Sequence, residues 1–332
     1  MSLWQSKKST TKAVIYLSDF NEISEKKSGM SARVGRLLKK YWMLYLIFLP
    51  AFLSLFVFSY IPMGGIVLAI KDYSPRIGMW LSEFVQPWFK HFAEAFSGTD
   101  FWKVTLNTLK ISCLRLVFGF PAPILLALLL NEVRHSGVKK FVQTTVYLPN
   151  FLSWVVVAGM VRTLMAGDGL INSMLQNLGL SGIPFLTDGN WFVFTLIITD
   201  IWKGMGYGSI IYMAAIAGID QEQYEAATID GANRWQKMIY ITLPGLVFAI
   251  SINLILSLSG ILNAGFDQIF NLYSPVVYDT ADIIDTYVYR LGIISGDFEV
   301  ATALGLVKSA IGFILIVVTN KTVHKMGGEG IW

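Results

Sequence analysis

Long apolar stretches dominate the chain and set the strongest limit on its fold. A helix that crosses the hydrocarbon core of a bilayer needs roughly 20 mostly apolar residues. Six stretches are candidates for such helices, namely residues 41–70, 104–130, 141–165, 190–216, 239–262 and 300–320. Only 14% of the residues are charged, against about 25% in soluble domains. The sequence therefore predicts an all-α integral membrane protein with six transmembrane helices.

The distribution of basic residues predicts the orientation of these helices. Lysine and arginine number nine in residues 1–40, three in 131–140, two in 217–238 and two after residue 320, a total of 16. The alternate loops carry only five, and cytoplasmic loops are the ones that hold the excess of basic residues. We therefore expect both termini in the cytoplasm, with a basic arm over 1–40, a transmembrane domain over 41–320 and a tail over 321–332.

The basic arm also accounts for most of the net charge of +4. A cluster of basic residues next to a first span favours contact with anionic membrane lipid. Docking of a partner protein is the alternative for this arm. No nucleic-acid partner is needed to explain the charge.

A polar island interrupts the apolar sequence at residues 217–244, between the fourth and fifth predicted spans. Asp220 can cap a helix start, and Gln223 follows three residues later, as in a capping box. Gly231 stands where a helix stop with positive φ is expected. We therefore expect a capped helix from about Gln221 that ends at a glycine.

A second, shorter helix is expected to follow that glycine. It would run over residues 232–240, and Pro244 would then break or bend the chain as it re-enters the membrane. The island thus predicts a bent helical element exposed to the cytoplasm.

Motifs for catalysis or cofactor binding are missing from the sequence. There is no G-x-x-x-x-G-K-[ST] loop to hold nucleotide phosphates, and the three histidines lack metal-ligand spacing. Gly204, Gly206 and Gly208 form a glycine cluster that favours close helix packing in a bilayer over phosphate binding. We therefore expect a chain that is not an enzyme and holds no metal and no cofactor of its own.

The spacing of residues inside the island carries a resemblance to a known family. The residues concerned are Glu225, Ala226, Ala227, Asp230, Gly231, Ile241, Leu243 and Pro244. This Glu-Ala-Ala, Gly, Ile-x-Leu-Pro pattern resembles the signature loop in the membrane subunits of binding-protein-dependent ABC importers. Four further stretches resemble the carbohydrate and polysaccharide branch of that family, at 58–73, 107–112, 129–134 and 147–154.

The resemblance implies a permease subunit with the ABC type I importer fold in the inner membrane of a bacterium. Two ATPase subunits, which carry ATP and Mg, would dock on the island as a coupling helix. A second permease subunit, often a different chain, would complete the pathway. An extracytoplasmic solute-binding protein would deliver the substrate.

The island residues suit that docking role chemically. Glu225 offers a carboxylate to a basic partner residue, Ala226 and Ala227 allow close approach, and Gly231 makes the bend. The alternative is that Glu225 only stabilises the start of its own helix, where negative charge is favourable.

Ionisable residues within the spans are the first candidates for a substrate pathway, because burying them in a bilayer is costly. They include Arg115, Arg162, Asp200, Lys203 and Lys308. Asp200 and Lys203, three residues apart, are placed to neutralise one another, which leaves surplus positive charge. An acidic cargo such as a uronate-containing oligosaccharide, for example alginate, would match that surplus, and a neutral oligosaccharide would follow if the remaining charges pair internally or snorkel.

Aromatic residues are a second group of pathway candidates. Trp202 and Tyr207 are suited to stacking on sugar rings, although tryptophan and tyrosine also collect at membrane interfaces. A different class of function remains open as well, namely an ion-coupled secondary transporter or channel that works without an ATPase. That alternative calls for intramembrane carboxylates and inverted repeats, and the sequence offers Asp200 alone.

Overall fold

The computed structural model describes residues 30–325, so the basic arm up to residue 29 and the tail from residue 326 lie outside it. Within this range the chain is helical, and extended pairing is limited to one antiparallel bridge between Lys71 and Phe84. This confirms the all-α prediction. Residues 30–65 belong to one compact unit and residues 66–325 to another.

The first unit is one long helical stretch with a kink at Tyr41, where φ is −115° and ψ is 20°. Helix α1 covers Met30–Leu55 and continues as a π-helical turn over Phe56–Tyr60. Its aromatic rings recur every four residues on one face, with neighbouring centroids 6.1, 6.2 and 6.3 Å apart, at Phe48, Phe52, Phe56 and Tyr60. These four side chains are exposed, which suits a helix that faces lipid.

Sixteen helices make up the second unit within the described residues. They are α2 (Gly78–Leu81), α3 (Lys90–Ser97), α4 (Thr99–Leu114), α5 (Pro121–Glu132), α6 (Ser136–Tyr147), α7 (Trp154–Met165), α8 (Leu170–Asn177), α9 (Gly189–Ala217), α10 (Gln221–Ile229), α11 (Arg234–Lys237), α12 (Leu243–Gly245), α13 (Val247–Ser259), α14 (Phe266–Leu272), α15 (Tyr278–Ala281), α16 (Ile284–Tyr289) and α17 (Phe298–Lys325). Short π-helical or 3₁₀ segments join several of them, at Arg115–Gly119, Leu148–Phe151, Met238–Thr242, Pro275–Val277 and Arg290–Ile294.

Four helical stretches between residues 30 and 325 are long and apolar enough to cross a membrane. They are Lys39–Ile70, Asp100–Glu132, Trp154–Asn177 and Phe298–Thr322. A fifth crossing results if Arg234–Gly245 and Val247–Leu258, which meet at 57°, are taken as one bent span. The predicted fourth span coincides with α9, whose 29 residues reach about 43 Å at 1.5 Å per residue. The count of six therefore remains a prediction.

The third predicted span, 141–165, is broken where the sequence analysis expected one helix. Pro149 lies in the 3₁₀ segment after α6, and a proline has no N–H to continue the α-helical ladder. Ser153 then caps the next helix, since its hydroxyl accepts a hydrogen bond from the Val156 N–H at 3.4 Å. The apolar crossing accordingly begins at Trp154.

Helix α9 packs closely on its neighbours through glycine. A Cβ atom built on Gly206 would lie 1.9 Å from the carbonyl oxygen of Val146, at the end of α6. One built on Gly208 would lie 3.0 Å from the ring of Pro123 on α5, whereas Gly204 has open space. The predicted role of the glycine cluster in helix contact thus holds for Gly206 and Gly208.

A buried apolar core joins α4, α7, α9 and α14. Its fully buried members include Ile111, Val157, Phe192, Leu196 and Ile269. A second core lies at the other end of α9, where Tyr212 and Ile216 pack with Leu246 near the bend of the fifth span. These two cores fix the helices that carry the polar residues described next.

Candidate coupling surface and translocation cavity

The coupling loop, residues 217–244, begins with the helix expected from the sequence. The Asp220 carboxylate accepts a hydrogen bond from the Glu222 N–H at 3.0 Å and so caps α10. The helix ends before Gly231, which has φ +77°. Both the cap and the glycine stop were correctly predicted, because each depends on residues close together in the chain.

The second part of the loop differs from the expectation. Its helix begins at Arg234, rather than at residue 232, because Asn233 is the N-cap. Asn233 Oδ1 accepts from the Gln236 N–H at 2.9 Å, and the Asn233 N–H donates to Gln236 Oε1 at 2.7 Å. The reciprocal capping box therefore lies at Asn233 and Gln236, and not at Asp220 and Gln223.

Side-chain bridges hold the two parts of the coupling loop together. The Tyr224 hydroxyl lies 2.9 Å from the hydroxyl of Thr242, which is buried at the start of the fifth span. Lys237 Nζ donates to Thr228 Oγ1 at 2.6 Å across the Gly231 bend. The loop is thus tied both to itself and to the bent span that follows.

The signature residues lie on an accessible surface. Glu225, Ala226, Asp230 and Gly231 are exposed, as are Leu243 and Pro244, while Ala227 and Ile241 are half-buried. Two apolar side chains missed by the sequence analysis share this surface, since Ile229 is 87% exposed and Trp235 is 67% exposed. Their signal was available in the sequence, because apolar side chains in a polar loop suit a contact surface.

A polar cavity of about 330 Å³ lies between α4, α9 and α13. Arg115 and Asp200 both line it, and Arg115 Nη1 lies 3.3 Å from Asp200 Oδ1. A second nitrogen of the guanidinium donates to Gln268 Oε1. The opposite wall presents amide and hydroxyl side chains of Asn253 and Ser257.

The Arg115 site is built by residues from distant parts of the chain. Gln268 is fully buried and donates to Thr199 Oγ1 at 2.7 Å and to the Leu196 carbonyl at 2.9 Å. Gly265, with φ +87°, leaves room for the guanidinium, since a Cβ atom there would lie 2.3 Å from Arg115 Nη1. The sequence analysis found Arg115 and Asp200 but not the residues that hold them.

A second cavity, of about 450 Å³, shares Gly260 and Asn263 with the first. Lys308 and Asp285 line it, with Lys308 Nζ 2.5 Å from Asp285 Oδ1 and 3.0 Å from Asn263 Oδ1. The linings of the two cavities mix polar and apolar side chains, with one ion pair in each. We refer to the two cavities together as the translocation cavity, because three residues predicted for a substrate pathway, Arg115, Asp200 and Lys308, line them.

The expected pairing of Asp200 with Lys203 is wrong in geometry. Lys203 Nζ instead donates to the Asn150 carbonyl at 2.9 Å and lies 5.5 Å from the centre of the Trp154 ring. Asp200 faces Arg115 instead. Although Asp200 and Lys203 are both on α9, their side chains point toward different neighbouring helices. Arg115 and Lys308 each face a carboxylate. The surplus of positive charge within the spans is therefore smaller than the sequence predicted.

The remaining pathway candidates lie elsewhere. Arg162 donates to the Asn271 carbonyl at 2.7 Å, and neither Arg162 nor Lys203 lines the translocation cavity. Trp202 and Tyr207 are exposed and do not line it either. Of the seven residues proposed from the sequence, Arg115, Asp200 and Lys308 therefore come together at this cavity.

The segment that follows the fifth span, predicted to lie outside the cell, is held by its own ion pair. Arg290 lies 2.6 Å from Asp282, and its guanidinium stacks 4.6 Å from the centre of the Tyr278 ring. Burial, together with the neighbouring Tyr278, raises the pKa of Tyr273 to about 12, so this phenol stays neutral. Among residues 30–325, no group of three His, Cys, Asp or Glu side chains is placed to hold a metal ion.

Comparison with known proteins assigns a family to this arrangement. Residues 119–326 match the family described as binding-protein-dependent transport system inner membrane component. Two relatives from Bacillus subtilis (strain 168) are each 43% identical. Protein LplB aligns over 296 residues, 89% of this chain and 92% of its own. The polygalacturonan/rhamnogalacturonan transport system permease protein YteP aligns over 290 residues, 87% of this chain and 90% of its own.

Solved structures agree with the sequence relatives. A bacterial ABC transporter involved in the import of the acidic polysaccharide alginate is 41% identical, with a TM-score of 0.79 over 88% of this chain and 99% of that one. The alginate transporter in complex with an alginate pentasaccharide-bound periplasmic protein gives a TM-score of 0.81 at 41% identity, over 90% and 100% of the two chains. The predicted ABC type I importer permease fold is thereby confirmed, and relatives of this kind are transport permeases, not enzymes.

These findings also argue against the alternative of an ion-coupled carrier that works without an ATPase. The matched proteins are permeases of binding-protein-dependent systems and of ABC transporters. The chain belongs to the family of binding-protein-dependent transport system inner membrane components, the permease subunits of ABC importers.

Proposed function

We propose that this permease forms one half of the translocation pathway for an acidic, uronate-containing oligosaccharide. A relative that is 43% identical is named for polygalacturonan and rhamnogalacturonan transport, and a solved relative imports the acidic polysaccharide alginate. The other half of the pathway comes from a second permease subunit, and an extracytoplasmic solute-binding protein delivers the cargo. A complex of the solved relative with its periplasmic protein supports the last assignment.

ATP hydrolysis on two separate ATPase subunits drives this transport through the coupling loop. The observation that carries the proposal is an exposed helix α10, capped by Asp220 and stopped at Gly231 with φ +77°. Glu225 supplies a carboxylate to a basic residue of the ATPase, while Ile229 and Trp235 supply apolar contact. Both termini and this loop lie on the cytoplasmic side, in line with the distribution of basic residues.

The residues that line the translocation cavity suit the binding of a sugar. Asn253, Ser257 and Asn263 provide amide and hydroxyl groups for hydrogen bonds to sugar hydroxyls. Because Arg115 and Lys308 already face carboxylates, a uronate group would compete with Asp200 or Asp285 for its cation. The support for an acidic rather than a neutral cargo therefore comes from the relatives. The cavity supports recognition of the hydroxyl groups of a sugar.

Reconstitution of the assembled importer in proteoliposomes tests both parts of the proposal. We expect ATP hydrolysis that is stimulated by the loaded binding protein, and uptake of a galacturonate trimer but not of a galactose trimer of equal length. Replacement Glu225→Ala should remove most of the stimulation while the complex still assembles. Glu222→Ala is the matched control, because Glu222 is an exposed acidic residue on the same helix outside the signature.

Normal stimulation in Glu225→Ala would contradict the docking role. Equal uptake of the two trimers would contradict the acidic cargo. Transport by the chain alone, driven by an ion gradient, would overturn the importer assignment itself.

A further inference from the structure

A separate cavity lies between α10 of the coupling loop and the ends of α5, α6 and α9. Its volume is about 370 Å³. Its polar lining residues are Asn131, Lys139, Gln221, Tyr224 and Lys237, and no carboxylate lines it. We propose that this basal cavity binds a phosphate-bearing anion between Lys139 and Lys237.

The two ammonium groups leave the cavity with uncompensated positive charge. Lys237 Nζ donates one of its three protons to Thr228, and Lys139 has no ion pair or side-chain hydrogen bond within residues 30–325. The acidic residues next to lining residues in the chain, Glu132, Asp220, Glu222 and Glu225, do not line the cavity. Asp220 caps α10, and Glu132 lies 3.9 Å from Arg234.

Two like charges on one cavity repel each other, and an anion between them reverses the sign of that interaction. Lysine is a common phosphate ligand, and its bonds to phosphate oxygens are charge-assisted. The amides of Asn131 and Gln221 add neutral N–H donors to the same lining. A phosphate has several acceptor oxygens, which match a lining that offers both ammonium and amide donors.

The lining of the basal cavity also includes apolar side chains, Met213 and Ile216 on α9. A phosphate ester, which carries carbon next to the phosphate, therefore matches this lining better than inorganic phosphate does. Basic pockets between membrane helices at the cytoplasmic side are suited to lipid phosphates. The same chemistry is offered by an anionic phospholipid and by soluble phosphate.

Occupation of the site would tie α6, through Lys139, to the coupling loop, through Lys237 and Gln221. Bound anion would hold the coupling loop against the membrane domain and so regulate its movement. The site itself stands on the geometry alone, whereas this regulatory effect rests on the proposed coupling function.

Native mass spectrometry of the purified assembled importer tests the site, with phosphatidylglycerol and zwitterionic phosphatidylcholine as probes. We expect Lys139→Gln and Lys237→Gln each to weaken retention of phosphatidylglycerol about tenfold. Lys140→Gln is the matched control, because Lys140 is exposed on the same helix and does not line the cavity. Lys237→Arg keeps the charge and should keep binding. Thr228→Val removes the hydroxyl that Lys237 contacts but no charge, and should also keep binding, which separates loss of the anion site from loss of the Thr228 bond.

Addition of inorganic phosphate shows whether the bound anion is a soluble phosphate or a lipid headgroup. If phosphate raises the thermal midpoint of the wild type and displaces phosphatidylglycerol, a soluble phosphate is the ligand. If only the lipid is retained, the lipid headgroup is the ligand. Equal retention in wild type, Lys139→Gln and Lys237→Gln, or an equal loss in Lys140→Gln, would overturn the site. A wild-type importer that binds lipid at these lysines but never couples ATP hydrolysis to transport would refute the proposed function and leave this site intact.

Discussion

Two glycines on α9, Gly204 and Gly206, should respond in opposite directions to the same substitution. Alanine at Gly206 places its Cβ atom 1.9 Å from the Val146 carbonyl oxygen, and real Cβ contacts are essentially never shorter than 3.0 Å. The obstacle is backbone, so no side-chain rotation relieves it. The end of α6 must retreat by at least 1.1 Å, the difference between 3.0 and 1.9 Å.

That retreat also strains a neighbouring hydrogen bond. Lys203, on α9, donates to the Asn150 carbonyl at 2.9 Å, and stretching by the same 1.1 Å would give 4.0 Å. At that length the bond is lost. Loss of a hydrogen bond from a charged donor costs about 1.5–3 kcal/mol, and overpacking costs about 1–3 kcal/mol. We expect Gly206→Ala to lower the free energy of unfolding by about 2.5–6 kcal/mol.

Gly204→Ala is the matched control. No atom lies within 4 Å of the added Cβ, and alanine in a helix interior is more favourable than glycine by about 0.5–1 kcal/mol. Thermal midpoints of the detergent-purified proteins, read by size-exclusion chromatography after heating, should fall by several degrees for Gly206→Ala and stay level or rise for Gly204→Ala. Equal shifts in the two variants would refute the close-packing argument.

Three further substitutions test the cavity and the loop. Asp200→Asn removes the carboxylate facing Arg115; because the Asp200 side chain is still 32% exposed, we expect a loss of only about 1–3 kcal/mol, measured as a lower thermal midpoint. A wild-type midpoint in that variant would show that the pair contributes little. Gly265→Ala should lower the free energy of unfolding by about 1.5–3 kcal/mol more than Gly179→Ala does. Both glycines have positive φ, but only Gly265 lies against Arg115. Equal losses in the two variants would show that the Arg115 guanidinium does not require a glycine at position 265. Asn233→Ala should cost about 1 kcal/mol by removing the capping box, seen as faster amide hydrogen exchange at Gln236, whose N–H donates to the Asn233 side chain. Unchanged protection of that amide would contradict the role.

Features that depend on near neighbours in the chain could be predicted from the sequence. The Asp220 cap and the Gly231 stop each follow from a few adjacent residues, and the family pattern placed both in one loop. The break at Pro149 carries an equally local signal, but the surrounding apolar run concealed it. Helix ends could therefore be predicted from neighbouring residues more reliably than the number of transmembrane spans.

Contacts between distant residues were beyond sequence reasoning. Arg115 meets Asp200, which is 85 positions away, and Gln268, which is 153 positions away. Nothing in the spacing of these residues indicates the contact, because helix packing brings them together. The local rule of three-residue spacing favoured Lys203 as the partner of Asp200, and helix packing overrode it.

The distance along the chain between Arg115 and its partners has a consequence for how the protein is made. Synthesis proceeds at about 5–20 residues per second, so Arg115, which is 85 positions ahead of Asp200, reaches the bilayer about 4–17 s earlier. During that interval a lone arginine near the middle of a span costs about 2.5–3.5 kcal/mol, which the apolar neighbours of the helix must offset. Insertion of that span is therefore decided by its own hydrophobicity, and the ion pair with Asp200 can form only after α9 has followed it into the membrane. The polar cavity is thus a product of late assembly, completed when Gln268 arrives and locks the guanidinium in place.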